Sequence, residues 1–239
     1  MTTKEVASGV HHVVRGLVNA FLVEADDGLA IIDSGLPKNA EAFLASIGQL
    51  GHRAADVSSI VVTHHHVDHV GSLAALAGAT GAVVYAPAAD AAIIRGEANP
   101  PRPNPSSILG RLTTSLVARF GPSADPATID HEVVDGEILA VAGGLRAVHT
   151  PGHTAGQTSF LLSRDGGVLF VGDAASTLVG RLGPPVRGVE SFHTEDPAEA
   201  NRSFRKLAAL EFEIALVGHG PPILRNAADR FRARLAESG

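Results

Sequence analysis

The sequence predicts a layered protein of mixed β-strands and α-helices, and two observations favour this class. Short apolar runs rich in β-branched residues recur along the chain and end in Gly/Pro turns, which is the pattern of buried strands. Segments with apolar residues at helical spacing lie between these runs. Because 239 residues suffice for one large core, we expect a single domain over residues 1–239.

The first part of the chain predicts paired strands followed by a helix. The predicted strands are residues 10–14, 20–24 and 29–33. Asp26-Asp27-Gly28 supplies the turn between the last two strands. A helix over residues 38–50 is predicted from apolar side chains at helical spacing, namely Phe43, Leu44, Ile47 and Leu50.

The same two patterns predict the remaining elements. Further strands are predicted at residues 60–62, 82–86, 145–148, 168–171 and 214–217, and another begins at His131. Further helices are predicted at residues 67–77, 88–95, 197–210 and 226–239. The chain therefore predicts strands and helices in alternation over most of its length.

Residues 97–120 interrupt this alternation. Four prolines between residues 97 and 105 forbid regular structure there. Residues 106–120 then predict a helix with one apolar side. This helix either packs on its own domain or forms a lid, in which case Leu112 and Leu116 would contact substrate. It is also a candidate surface for self-association.

The composition limits the classes of function. Apolar residues make up 45% of the chain, yet no run is long enough to span a membrane. The first residues lack the apolar core of a signal peptide, and the absence of cysteine excludes disulfides and thiolate ligands. A net charge of −6, no Trp and one Tyr disfavour nucleic acid as a partner. We expect a cytoplasmic protein that acts on a small molecule.

A cluster of potential metal ligands follows the apolar run at residues 60–62. His64, His66, Asp68 and His69 stand within six residues. Unpaired polar groups at the end of a buried strand are costly. Imidazole and carboxylate are the usual ligands of a divalent ion such as zinc. The cluster therefore indicates a metal site, with a run of histidines on a solvated loop as the alternative.

Three other strand ends repeat this design. His153, Asp173 and His219 each lie in a Gly/Pro-containing turn directly after a predicted strand. One such residue alone is more often a turn or capping residue. Because four strand ends each present a residue of the ligand type, we expect one convergent site.

This ordered set of residues resembles the metallo-β-lactamase superfamily. The pattern is His-x-His-x-Asp-His followed by a His, an Asp and a final His, and it spans residues 60–220. The resemblance implies an α+β fold, a four-layer αββα sandwich with metals at one edge. It also implies that His64, His66 and His153 hold one ion, that Asp68, His69 and His219 hold a second, and that Asp173 bridges them.

The implied cofactors are two divalent metal ions. Zinc is the expected ion, with iron and manganese as alternatives. Two ions about 3.5–4 Å apart can share a bridging water and lower its pKa towards 7, which gives hydroxide at neutral pH. Asp68 would orient this hydroxide and then deliver a proton to the leaving group.

Several residues near the motifs have open assignments. Asp33 either accepts a hydrogen bond from a metal-ligating side chain or caps its turn. His65 is expected to point away from His64 and His66. Structural or surface positions are expected for His11, His12, His52, His131 and His149. His193 and Arg181 are candidates for substrate contact.

The sequence favours a dinuclear hydrolase that cleaves an ester, lactone or thioester. In layout it is most similar to small lactonases and glyoxalase II-like members of the family. The Tyr that such lactonases place after the bridging Asp is absent, because the only Tyr is Tyr85. The alternatives are a phosphodiesterase with Arg181 and Arg187 as cationic clamps, or a non-hydrolytic metal protein such as an iron-dependent oxidoreductase.

Overall fold

The computed structural model describes residues 2–26, 28–101, 122–178, 187–188 and 194–237. Within these ranges, two β-sheets stack face to face and helices cover both outer faces. This is the predicted αββα arrangement. The predicted helix at residues 106–120 lies outside the described residues, as do Arg181, His193 and the side chain of Arg187.

The first sheet has seven strands within the described part of the chain. In spatial order they are β1 (Thr2–Ala7), β2 (Val10–Arg15), β3 (Val18–Ala25), β4 (Gly28–Ile32), β5 (Val57–Val61), β6 (Val83–Pro87) and β7 (His131–Val133). Strands β1 to β4 are antiparallel and β4 to β7 are parallel. Every strand predicted for this half of the chain is present. Strand β1 was not predicted, because its sequence Thr-Thr-Lys-Glu-Val-Ala has no apolar run.

The second sheet has five strands among the described residues. They are β8 (Ile138–Leu139), β9 (Leu145–His149), β10 (Thr158–Leu162), β11 (Val168–Gly172) and β14 (Ile214–Val217). The spatial order is β14-β11-β10-β9-β8, and β11 and β14 run parallel. A separate short pair joins β12 (Ala175–Ser176) to β13 (Arg187–Gly188).

Helices cover the two outer faces of the sandwich. They are α1 (Ala40–Gln49), α2 (Val67–Val70), α3 (Leu73–Thr80), α4 (Ala88–Ile94), α5 (Pro197–Ala208) and α6 (Ala227–Ala236). The start of helix α5 is set by an N-cap, because Asp196 Oδ1 accepts a hydrogen bond from Glu199 N at 2.9 Å. Pro197 in the first turn also favours a helix start. None of the helices in the described ranges is long and apolar enough to cross a membrane.

Three hydrophobic cores separate the four layers. Strand β11 illustrates this, because successive side chains of a strand point to opposite faces of a sheet. Val168 and Phe170 pack between the two sheets. Leu169 and Val171 pack under helices α5 and α6. A third core joins the outer face of the first sheet to helices α1 and α3.

The segment predicted as one helix over residues 67–77 is two helices. Helix α2 ends at Val70 and α3 begins at Leu73. Gly71 lies between them, and its N–H donates to Gly35 O at 2.9 Å. A Cβ at residue 71 would lie 2.3 Å from Pro37 N. The break follows from this close approach to the loop after β4, which no local pattern reveals.

We expect Gly71→Ala and Gly78→Ala to change stability in opposite directions. A methyl group at residue 71 would collide with Pro37, which should cost about 1–3 kcal/mol. A methyl group at residue 78, inside α3, has nothing within 4 Å and should stabilise the helix by about 0.5–1 kcal/mol. Urea unfolding of both variants measures the two changes. A stabilising Gly71→Ala substitution would contradict the described contact with Pro37.

Candidate metal centre

The residues of the predicted site converge where strands of both sheets end. The loop after β5 carries His64, His66, Asp68 and His69, while His153 follows β9, Asp173 follows β11 and His219 follows β14. Asp68 and His69 lie in the short helix α2, as predicted. The expectation of one convergent cluster therefore agrees with the structure.

The first donor group is His64, His66 and His153. One ring nitrogen from each lies within 4.8 Å of the others. His66 Nδ1 and His153 Nε2 are 2.9 Å apart. Two imidazoles on one tetrahedral zinc ion place their nitrogens about 3.3 Å apart, so this spacing fits a shared ion.

The second donor group is Asp68, His69 and His219, whose donor atoms also lie within 4.8 Å of one another. Asp68 Oδ2 is 3.2 Å from His219 Nε2 and 4.0 Å from His69 Nε2. The two groups match the two ligand sets that the sequence resemblance implies.

Asp173 lies between the two groups. Its Oδ2 is 3.3 Å from His153 Nε2, in the first group. The same oxygen is 3.3 Å from His219 Nε2, and Oδ1 is 3.6 Å from His69 Nε2, both in the second group. His64, His69 and Asp173 also form a third, overlapping set of donor atoms.

The chemistry of these atoms fits divalent metal ions. His64 Nε2, His69 Nε2 and Asp173 Oδ1 are buried and have no hydrogen-bond partner within the described part of the protein. Buried polar atoms are normally paired, because leaving them without a partner costs free energy. An ion such as zinc takes nitrogen and oxygen donors of these types.

Asp33 orients two of the candidate ligands. Its Oδ2 accepts from His69 Nδ1 at 2.8 Å, and its carboxylate also accepts from Thr63 N and Thr63 Oγ1. Thr63 Oγ1 in turn lies 3.0 Å from His64 Nδ1. These contacts direct Nε2 of both histidines towards the centre of the site. Of the two assignments left open for Asp33, the structure supports the one in which Asp33 accepts a hydrogen bond from a candidate metal ligand.

The His219 loop depends on residues that the sequence did not single out. His219 Nδ1 donates to Leu17 O at 3.0 Å. Asn19 Nδ2 donates to Val217 O at 2.9 Å and to Gly220 O at 2.6 Å. A buried Asn in the apolar strand β3 was a usable signal, because a polar side chain there needs partners.

The other histidines that the structure describes contact groups outside the donor set, as expected. His65 points away from the donor groups, and its Nδ1 is 3.1 Å from Asp90 Oδ2. The remaining five contact groups outside the donor set: His11 and His52 contact Glu24, His12 contacts Asn19, His131 contacts Glu137, and His149 contacts Ala155 O.

Comparison with known proteins assigns the family. The family model of the metallo-β-lactamase superfamily matches residues 13–219. The chain belongs to this superfamily. A relative named as a metallo-hydrolase, described in the next paragraph, matches nearly the whole chain, so the protein is a metal-dependent hydrolase. Its clusters of histidine and aspartate side chains could bind divalent ions.

Two relatives and one solved structure illustrate the likeness. The chain is 29% identical to "Probable metallo-hydrolase YflN" of Bacillus subtilis, over 98% of this chain and 90% of that protein. It is 32% identical to the hydroxyacylglutathione hydrolase of Pseudomonas aeruginosa over 182 residues, which are 76% of this chain and 52% of that protein. BJP-1, a subclass B3 metallo-β-lactamase of Bradyrhizobium japonicum, aligns with a TM-score of 0.73 at 21% identity, covering 100% of this chain and 91% of that one. The last likeness shows the fold alone.

Two histidines of this hydrolase hold protons unusually tightly when no ion is bound. Burial lowers the pKa of His69, but the carboxylates of Asp33 and Asp173 outweigh burial and raise the pKa to about 9. Burial also lowers the pKa of His219, but hydrogen bonds with Asp173 and Asp68 raise it to about 11. Both rings therefore carry an extra proton at pH 7 and offset part of the negative charge of Asp33, Asp68 and Asp173.

The histidines of the first donor group have lowered pKa values. Burial, with the neighbouring histidines, holds the pKa of His64 well below its ordinary value. Burial likewise lowers the pKa of His66, and it lowers that of His153 to about 4 despite the opposing effect of Asp173. These rings are neutral at pH 7, which is the form that binds a metal ion.

We expect zinc binding to release protons from the second donor group. Ligand histidines must be neutral, so His69 and His219 must each lose a proton that is still bound at pH 7. Zinc affinity should therefore rise as the pH rises from about 6 to about 9. Calorimetric titration in two buffers of different ionisation enthalpy measures the release, which should be about two protons. His131→Ala, outside the site, should leave it unchanged, and zinc binding without proton release would refute the expectation.

Proposed function

We propose that the protein is a dinuclear hydrolase that cleaves an ester, lactone or thioester of a small molecule. The position of Asp173 carries the proposal, because its carboxylate contacts His153 of the first donor group and both His69 and His219 of the second. A carboxylate between two donor sets suits a pair of ions that share one bridging ligand. Zinc is the proposed ion.

Two zinc ions would polarise the scissile carbonyl and lower the pKa of a water molecule enough for it to attack at neutral pH. Asp68 and Asp173 then differ in what they can do. The Asp68 side chain is 27% exposed and reaches the solvent side of the site, whereas Asp173 is only 7% exposed. We assign Asp68 the role of taking a proton from the attacking water and passing it to the leaving group. Asp173 holds the two donor groups together.

Contacts around His219 support an acyl substrate with an apolar part. Leu17, whose carbonyl accepts from His219 Nδ1, is 64% exposed. Leu178 is 44% exposed, and its N–H donates to Ser176 Oγ, which itself donates to His219 O. Exposed apolar side chains on the segments that hold His219 suit a ligand that is partly apolar.

The overall charge favours an acyl group over a phosphodiester. A transferred phosphoryl group needs cationic side chains to support its oxygens. The chain instead carries a net charge of −6, with 25 acidic residues against 19 Lys and Arg. The 32% identity to a hydroxyacylglutathione hydrolase also supports the acyl class, by analogy with that enzyme's name.

We further propose that residues 1–239 form one hydrolase domain that works in the cytoplasm. Both donor groups draw residues from the two sheets, which supports a single functional unit. A chain without cysteine has no need of an oxidising compartment. Its net charge of −6 supports a small-molecule substrate over nucleic acid.

We expect the purified protein to bind about two metal ions per chain, with zinc predominant. Asp173→Ala should lower occupancy at both positions, because this side chain contacts both donor groups. Elemental analysis of protein purified without added metal, and again after reconstitution, measures the content. His131→Ala, which alters a histidine paired with Glu137, is the matched control and should keep full occupancy. A single equivalent that reconstitution does not change would remove the bridging role of Asp173.

We expect lactones or thioesters to be cleaved faster than bis-aryl phosphodiesters and much faster than β-lactams. The measurement is kcat/KM across this panel with the metal-saturated enzyme. Asp68→Ala should lower kcat/KM for the best substrate by about 10²–10⁴-fold, because a positioned proton-transfer group contributes that much. A clear preference for phosphodiesters that disappears in Asp68→Ala would overturn the acyl assignment and leave the metal site intact.

A further inference from the structure

Asp90 is a buried carboxylate that the proposed chemistry does not use. It lies in helix α4, and its solvent exposure is 0%. A carboxylate away from water is costly unless charged or hydrogen-bonding partners surround it. Its partners therefore indicate what it does.

The partners of Asp90 come from two loops of the metal centre. Oδ2 accepts from His65 N and from Thr154 Oγ1, each at 2.9 Å. Oδ1 accepts from Gly156 N at 2.9 Å. Burial raises the pKa of Asp90, but the hydrogen bonds and charge of His65 and the Thr154 hydroxyl outweigh burial and keep the group ionised.

These contacts lie beside the three members of the first donor group. His65 stands between His64 and His66 in the loop after β5, and Thr154 follows His153 in the loop after β9. Those strands belong to different sheets. One carboxylate thus joins the two loops from which the group is assembled.

The fit around the carboxylate is tight. A Cβ at Gly156 would lie 2.4 Å from Asp90 Oδ1, so the loop after β9 can close on the carboxylate only because residue 156 lacks a side chain. His66 Nδ1 and His153 Nε2, which face each other across the joined loops, are 2.9 Å apart. A shift of either loop would change this separation directly.

We propose that Asp90 is a positioning residue that sets the spacing of His66 and His153 and thereby the affinity of the His64, His66 and His153 group for a divalent ion. The inference rests on the proposed function in taking this group as one of two metal sites. Asp90 acts through the backbone and imidazole of His65 in one loop and through the Thr154 hydroxyl and the Gly156 backbone in the other.

Three substitutions remove the hydrogen bonds of Asp90 to different extents. Asp90→Ala removes both acceptor oxygens. Asp90→Asn keeps the size and one oxygen, but its amide group must face at least one N–H or O–H donor. Thr154→Val removes a single donor at similar volume. We expect the effect on metal affinity to decrease in that order.

The test is zinc affinity of the metal-free full-length chain, measured by competition with a chromogenic chelator. One of the two zinc equivalents should weaken by about tenfold or more in Asp90→Ala, as is typical when a residue that orients metal ligands is removed. The other equivalent should be retained. Asp90→Asn should give a smaller loss, and in cobalt(II)-loaded protein it should alter the visible spectrum, which reports ligand geometry.

Ile47→Val is the control for a purely structural effect. Ile47 is buried in helix α1, in the core on the helix-covered face of the first sheet, and it belongs to neither loop. This variant should lower Tm while zinc affinity and the cobalt spectrum stay at wild-type values. If Asp90→Asn and Thr154→Val likewise lower only Tm, the inference is wrong. If the wild-type chain binds no zinc, the proposed function itself fails, so the two failures are distinguishable.

Discussion

Burying imidazole and carboxylate groups at the rim of two apolar sheets costs free energy unless each group has a partner. At the sheet edge that carries His64 and His69, each buried ring nitrogen therefore needs a hydrogen-bond donor, an acceptor or an ion. Asp33 satisfies the inner nitrogen of His69 directly and that of His64 through Thr63. The outer nitrogens have no hydrogen-bond partner in the part of the protein that the structure describes, so they are available to an ion. The same hydrogen bonds therefore stabilise the fold and define the metal centre.

The layers of the fold could be predicted because they depend on local periodicity. Strands such as β11 and β14 are short apolar runs between turns, and α5 repeats apolar residues at helical spacing. Strand β1 was missed because an edge strand with polar side chains carries no such pattern. The break at Gly71 was missed because it depends on Pro37, which approaches only in the folded chain. The order of the layers came from a family resemblance and not from the periodicity.

The candidate metal ligands could be predicted from the sequence, because they are His and Asp residues that directly follow predicted strands. His64, His153 and Asp173 carry a signal in their own surroundings, since each follows an apolar run. The role of Asp33 was left open because an Asp that caps a turn and an Asp that orients a metal ligand have the same local sequence. Asn19 and Asp90 gave no metal-type signal, because their partners lie far away along the chain, 66 residues in the case of Gly156. Asn19 signals only that a polar side chain in an apolar strand needs partners, and the identity of the partners of both residues becomes clear only in the folded structure.

The division of each donor group between the two sheets has a consequence for the order of folding. His66 and His153, which face each other at 2.9 Å, are 87 residues apart in sequence and belong to different halves of the chain. Contacts between distant segments form late, because closing a long loop costs entropy. A high-affinity ion site therefore cannot exist until the two halves have docked. An ion that binds there stabilises the folded state and opposes separation of the two halves, but it does not direct the early steps of folding.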